Sequence, residues 1–554
     1  MPDPSELVAM REPQRIVMSK ESSRRPAPAL SRPAAPSARR TFAVTAPQNE
    51  EAFQDLQSNH SSVTEKEHRV STPSNFNTEA YAAMRENEFV TAKDNPLSTF
   101  SIDVDTASYS NVRRFLDDEI RPPAGAIRTE ELINYFRYNY PQPGGEGPFS
   151  VNLEVSRAPW NPERELVLIG LKGRELPAEE RGPANLVFLI DVSGSMEELN
   201  KLPLLQRSLS ALVENLSNED RVAIVTYAGS SGLVLAPTEG ARKREILDAI
   251  SNLRAGGSTH GSEGIRLAYE TAREHFREDG NNRVILCTDG DFNFGVTNES
   301  ELQKLIERER ESGVFLSVLG FGTGNLNDST MELLANKGNG NYAYIDSISE
   351  GRKVLVEQMG STLFTIAKDV KIQVEFNPAR VAGYRLIGYE NRLLSKEDFN
   401  DDKKDAGEIG AGHTVTVLYE IIPAGQPIPG SPSVDPLKYQ HTEQDADAAS
   451  TSNELLTAKL RYKAPDGDKS KLIEIPLTAD DIPAFDAASE DFRFASAVAA
   501  FGMKLRGSPD SGKITWSQIQ DIARGALGND PGSYRAEFLT LLEKAKAIEE
   551  AGRR

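Results

Sequence analysis

Between residue 184 and about residue 360, short apolar runs alternate with stretches whose apolar positions recur every three or four residues. NLVFLI, RVAIVTYA, RVILCTDG, VFLSVLGFG and NYAYID read as strands, and GLVLAP as a further short one. The segment from Leu204 to Leu216, then REILDAISNL, IRLAYETAREHF, ELQKLIERERESG and STMELLANKG, carry the helical period. Strands alternating with helices of this length predict a doubly wound, mainly parallel sheet covered on both faces, an α/β fold. Leu186 to Ile190 holds no polar residue, the pattern of a strand buried on both sides.

The flanks read differently. Residues 1–78 are rich in Pro, Ala, Ser and Arg, bury too little apolar surface to offset ordering entropy, and are expected to be a disordered tail. In 79–183, TEAYAAMRENEF predicts a helix, and PLSTFSIDVDTASYSNVRRFL a strand turning into a helix capped by Asp105, Thr106 or Ser108. EELINYFRYNY places aromatics at helical spacing, and PFSVNLEVSRAPW and ELVLIGLKG give two strands. In 364–554, KDVKIQVEF, HTVTVLYEII, LLTAKLRYK and KLIEIPL are strands with a Pro-, Gly- and Asp-rich loop from Pro423 to Ser452, and Glu490 to Ala551 is helical. The chain is therefore expected to place the α/β unit, 184–363, between neighbouring strands of one β-sandwich-like region, with a helical segment at the C-terminal end.

Composition narrows the partners. The formal charge is 63 − 83 = −20, which disfavours nucleic acid and anionic membrane surfaces. Cys287 is the single cysteine, so neither an intrachain disulfide nor a cysteine-based zinc site is expected. No apolar run reaches the ~20 residues of a transmembrane span. The first residues carry Arg11, Arg15, Lys20, Arg24 and Arg25 with no apolar block after them, and so do not form a secretory signal as written.

The chemistry gathers at NLVFLIDVSGSMEE. Its buried strand ends in Asp191, followed by Ser193 and Ser195 with Gly194 between them. Two further loops sit where a parallel sheet collects loops over one crevice: GGSTHGSEG with Thr259, and CTDGDFNFG with Asp289 directly after a strand. Asp191, Ser193, Ser195, Thr259 and Asp289 make an all-oxygen set suited to Mg²⁺, or to Mn²⁺ or Ca²⁺. Other motifs fail. GSPDSGK has Ile514 where a phosphate-binding loop needs Ser or Thr, and VSGSM lacks the last glycine of a hydrolase elbow. His260 reads as a solvated loop residue, and Asp291 and Asn293 as turn residues or further contacts near the site. A metal-dependent hydrolase or phosphotransferase, and a scaffold with a degenerate site, stand as alternatives to a binding module.

On these residues the segment resembles a von Willebrand factor type A domain and its metal-ion-dependent adhesion site. The family pattern is Asp-x-Ser-x-Ser, then Thr, then Asp, matched by Asp191, Ser193, Ser195, Thr259 and Asp289. FSIDVDTASYSNVRRFL, TDGDFNFGV and the β-then-helix tail resemble a bacterial subgroup with its own N-terminal region and C-terminal domain. The resemblance implies a Rossmann-like fold and a non-enzymatic adhesion module. In such a module the serine and threonine hydroxyls bind the ion directly, the aspartates act mostly through water, and a protein partner offers Asp or Glu. It also implies a place in the cell envelope.

Overall fold

The computed structural model describes residues 79–552 apart from 103–104, 146, 258–261, 291–298, 359–363, 405, 430–451, 466 and 479–480. The expected tail, 1–78, lies outside the described residues, as do Thr259, His260, Asp291 and Asn293.

In chain order the first elements are β1 (Val90–Thr91), β2 (Leu97–Ser101), α1 (Ala107–Asp117), α2 (Thr129–Asn134), β3 (Phe149–Ala158) and β4 (Asn161–Gly173). The α/β unit follows, with β5 (Ala184–Asp191), α3 (Leu202–Asn215), β6 (Arg221–Tyr227), β7 (Ser231–Glu239), α4 (Lys243–Ser251), α5 (Ser262–Glu274) and β8 (Asn281–Thr288). It continues through α6 (Glu299–Glu311), β9 (Val314–Phe321), α7 (Asp328–Lys337), β10 (Tyr342–Ile345) and α8 (Ile348–Arg352). Strands β11 (Thr365–Phe376), β12 (Val381–Ile387), β13 (Gly407–Gly410), β14 (Thr414–Pro423), β15 (Glu454–Lys463) and β16 (Lys471–Thr478) precede three helices, Glu490–Arg506, Trp516–Arg524 and Tyr534–Gly552.

The sheet of the α/β unit runs β10-β9-β8-β5-β6-β7, parallel throughout except for edge strand β7. Every residue of β5 is buried, because alternate side chains enter two separate cores. Leu186, Phe188 and Ile190 pack with Leu205 and Leu209 of α3 and Ile246 of α4. Val187 and Leu189 pack with Ile265 and Ala268 of α5 and Met331 of α7. The unbroken apolar run follows from this double burial.

Around the unit lies a sandwich whose two sheets draw strands from both sides of it. One is ordered β1-β12-β14-β4-β3; the other is β13-β11-β15-β16, with β2 also on β11. Val167, Ile169 and Tyr419 of the first sheet share a core with Ile372, Val374 and Leu460 of the second. The opposite face of the first sheet, including Leu166, Leu168 and Leu418, is covered by α1, α2 and the C-terminal helices through Tyr135, Phe494, Phe501 and Phe538. The middle strands β4 and β14 are thus buried on both faces, whereas β16 at the edge of the second sheet is largely exposed. The expectation that the α/β unit joins neighbouring strands is corrected: β4 pairs with β3 and β14, while β11 pairs with β2, β13 and β15 in the opposite sheet.

Two local expectations also give way to tertiary contacts. Residues 79–89 form no helix. Ala80 is bridged to Asn327, the Glu79 carboxylate lies on Arg114 and on the Gly324 amide, and Tyr81 packs on Phe115; further on, Arg506 donates to the Met84 carbonyl and the Asn87 side-chain amide donates to the Leu386 and Gly388 carbonyls. Helix propensity is too weak to outweigh those bonds. At the start of α1, Thr106 makes no side-chain cap; the Ser108 amide donates to Glu131 of α2 instead, and Asp105 accepts the Tyr342 amide.

Candidate metal centre

Strand β5 lies at the middle of its sheet, between β8 and β6, so its carboxyl end faces the crevice where loops from both sides meet. The first loop is clasped to its neighbours by main-chain bonds. Val192 N donates to Tyr227 O (3.0 Å), Gly194 N to Gly257 O (3.1 Å), and Gly256 N to Val192 O (2.8 Å). These bonds carry Ser193 and Ser195 to the same end of the sheet as Asp191. Gly194 itself is exposed and opens a turn of 3₁₀ helix, Gly194–Glu197.

Asp191 is fully buried. Its Oδ1 accepts the Ser193 amide at 2.8 Å, and its Oδ2 accepts the Thr288 hydroxyl at 3.4 Å. Burial pushes this carboxyl up to about 6; the Ser193 hydrogen bonds pull against that shift, and the neighbouring Asp289 adds to it. Among the described residues no cationic side chain forms an ion pair with Asp191.

Asp289, the residue after β8, is equally buried but electrostatically opposite. Burial alone would raise it, yet the Asn325 amide, the Lys201 ammonium and the Ser195 hydroxyl together hold it below the usual carboxylate range. Asn325 Nδ2 and Lys201 Nζ each lie 3.0 Å from the same oxygen, Oδ2. Ser193 Oγ and Ser195 Oγ stand 3.0 Å apart, so the two serines and the two aspartates form one connected cluster. Gly290 follows with φ +97°, and a Cβ there would meet the Asn327 amide at 2.7 Å. That glycine lets the third loop press against the segment that supplies Asn325.

Of the five residues read from the chain, Asp191, Ser193, Ser195 and Asp289 come together in this way. Thr259 lies outside the described residues, although Gly256 and Gly257 just before it are bonded to the first loop. The sequence reading missed Lys201, Asn325 and Thr288. For Lys201 a signal was present: a lysine at the start of an apolar-periodic helix sits at the end where the helix dipole disfavours a cation. Asn325 and Thr288 offered none.

The donor set is all oxygen, of carboxylate and hydroxyl type, and includes a buried carboxylate that has no ionic partner among the described residues. That chemistry fits a hard divalent cation. A second buried group, Asp105, Glu131 and Glu332, also brings three carboxylates together. Those acids are neutralised by arginines: Arg128 pairs with Glu131 and Glu332, and Arg392 with Asp105 and Glu332. Among the described residues no helix is long and apolar enough to cross a membrane.

Comparison with known proteins agrees with this architecture. The family model for the von Willebrand factor type A domain matches residues 185–357, and one described as von Willebrand factor matches 75–168. The C-terminal model of the uncharacterized protein YfbK matches 361–548. YfbK of Escherichia coli K12 is 45% identical over 481 residues, covering 86% of this chain and 82% of that protein. Human inter-alpha-trypsin inhibitor heavy chain H3 is 27% identical over 264 residues, 43% of this chain and 28% of that protein. Among solved structures, a von Willebrand factor type A protein from Catenulispora acidiphila is similar over 71% of this chain and 88% of its own, with 16% identity and a TM-score of 0.38. The chain belongs to the von Willebrand factor type A domain proteins, in the subgroup that shares the N-terminal and C-terminal regions of YfbK.

Proposed function

We propose that the chain is a binding module in which Asp191, Ser193, Ser195, Thr259 and Asp289 hold one Mg²⁺ ion, with Mn²⁺ or Ca²⁺ as alternatives. A protein partner then completes the site with an Asp or Glu carboxylate. The observation that carries this reading is the convergence of two buried carboxylates and two serine hydroxyls at the carboxyl end of the central strand. When bound, the ion supplies Lewis acidity and positive charge at a surface that is otherwise acidic overall. The protein's own part is to hold the oxygens. The main-chain clasp sets the first loop, the Ser193 amide orients Asp191, and Asn325 with Lys201 orients Asp289. Leu199, 81% exposed at the end of the same loop, offers apolar contact beside the site.

Binding is favoured over catalysis by the side chains at hand. The two serine hydroxyls lie against each other and against Asp191 and Asp289, the carboxylates assigned to the ion. The described histidines lie elsewhere, His275 after α5 and His413 just before β14. Calorimetric titration of the full chain with Mg²⁺ tests the reading. Wild type is expected to take up one ion, and Asp191→Ala and Ser193→Ala to bind at least roughly tenfold more weakly, the loss of about one good ligand. Equal affinity in all three overturns the ligand set. A co-purifying protein retained in Mg²⁺, released by EDTA and lost with Ser193→Ala supports the partner; hydrolysis of phosphate esters lost with Asp289→Ala supports the enzymatic alternative instead.

A further inference from the structure

We propose that Lys201 is a resident counter-cation of this site: it weakens the hold on the divalent ion and leaves the loaded site with net positive charge for an anionic partner. The inference rests on the metal reading above and adds a residue that the family pattern of aspartates, serines and threonine does not contain.

Three observations carry it. Lys201 is only 3% exposed, and its Nζ donates to Asp289 Oδ2 at 3.0 Å, inside the cluster. Among the described residues the other carboxylate paired with it, Glu198, is 3.9 Å away and more than half exposed, so it contributes little. Second, the position is unfavourable for a lysine on every other count. An ammonium there is desolvated, and it stands at the N-terminus of α3, where the helix dipole repels it. A side chain needed only for its stem would be better served by methionine. Third, the fold is shaped to admit this stem. Gly322 has φ +74°, and a Cβ on it would lie 2.2 Å from Lys201 Cε and 2.4 Å from Cγ. The Gly322 carbonyl is itself held by the Tyr344 hydroxyl at 2.6 Å. The path of the lysine is therefore built by a strand end and a left-handed glycine more than a hundred residues further along the chain.

The charge sum states the consequence. Asp191 and Asp289 alone bring −2, enough to neutralise a divalent ion. Counted over Asp191, Asp289 and Lys201, the charge is −1 before a divalent ion is bound and +1 after. The ion is held less tightly because the ammonium repels it, and a carboxylate from outside is drawn more strongly for the same reason. Pairing is also one-sided: Lys201 and Asn325 both engage Asp289, whereas among the described residues Asp191 accepts from neutral donors. The two aspartates are thus given unequal shares of the work, Asp289 fixed in place and Asp191 left as the stronger electrostatic ligand.

The test uses the full chain with Lys201→Met, which keeps the stem and removes the charge, and Lys201→Arg, which keeps the charge. Mn²⁺ affinity is measured by calorimetry, and melting temperature in EDTA and in saturating Mn²⁺. Lys201→Met is expected to bind Mn²⁺ at least roughly tenfold more tightly than wild type, and Lys201→Arg to stay within about threefold. In EDTA the methionine variant melts below wild type, and saturating Mn²⁺ closes the gap. Lys201→Gln, able to hydrogen-bond Asp289, replaces the methionine variant if the latter does not accumulate. A lysine that only supports the fold gives another result: both melts fall together and Mn²⁺ affinity is unchanged or weaker, which overturns the proposal. Absence of Mn²⁺ binding in wild type and variants alike overturns the metal reading itself, and the inference with it.

Discussion

Asp191→Asn asks how much electrostatic cost the site carries. The carboxyl group is fully buried at the end of β5, and burial pushes it from 3.8 up to about 6. A carboxyl whose folded pKa lies above its unfolded value opposes folding whenever it is ionised in the folded state. That opposition is absent below about pH 4, grows as pH rises through the window between the two values, and is complete above about pH 6. Roughly 2 pKa units at 1.36 kcal/mol each make about 3 kcal/mol. Asparagine retains an acceptor for the Ser193 amide, offers an NH₂ to the Thr288 hydroxyl, and carries no charge. The assay is thermal melting of the full chain in EDTA between pH 4 and pH 8. For a unit the size of residues 184–363 each kcal/mol moves the midpoint by roughly 2–4 °C. The transition that reports this unit should therefore rise by roughly 6–12 °C at pH 8, and the gain should vanish toward pH 4. On the proposed ligand set, the order reverses in saturating Mg²⁺, since the variant then lacks a ligand. A variant that melts at or below wild type at pH 8 in EDTA, or a gain that persists unchanged at pH 4, refutes the reasoning.

Other consequences concern the frame that holds the site. Arg113 of α1 reaches the half-buried Asp346 (2.7 Å) and, both buried, Glu350 of α8 (2.7 Å) and the Tyr135 hydroxyl (3.0 Å). Arg113→Met leaves those two carboxylates facing each other and should cost about 3–5 kcal/mol; chemical denaturation measures it, and Arg113→Lys should recover only part because it lacks the fork. Gly322→Ala forces an unfavourable φ and strikes the Lys201 stem. It should cost roughly 1–3 kcal/mol in melting experiments and move Mn²⁺ affinity in the direction of Lys201→Met; unchanged stability would show that the stem has another route.

Much of the α/β unit was legible because its signals are local. A side chain's face follows from the period of its own strand or helix, so β5, β6, β8, β9 and β10 and their helices stand where the apolar pattern puts them. The failures share one cause. Residues 79–89 carry a helical composition but are held out of a helix by Asn327, Gly324 and Arg114 at their start and by Arg506, Leu386 and Gly388 further on. The aromatic stretch after Glu130 is helical only to Asn134, because Tyr138 and Tyr140 are needed in the layer against the first sheet. β12 and β13 went unread, since a short strand with glycines shows little alternation until a partner strand supplies its bonds.

The same division holds at the candidate site. By itself the sequence determined the donor types and their order, since Asp191, Ser193 and Ser195 share one short loop after a buried strand, and Asp289 follows another such strand. Tertiary structure alone decided how the two aspartates differ. Lys201 is 88 residues from Asp289 along the chain and 3.0 Å from it in space. Asn325 arrives from the loop between β9 and α7, and Gly322 admits the lysine stem. Electrostatic environment is a sum over neighbours in space, and most of those neighbours are brought together only when the sheet closes.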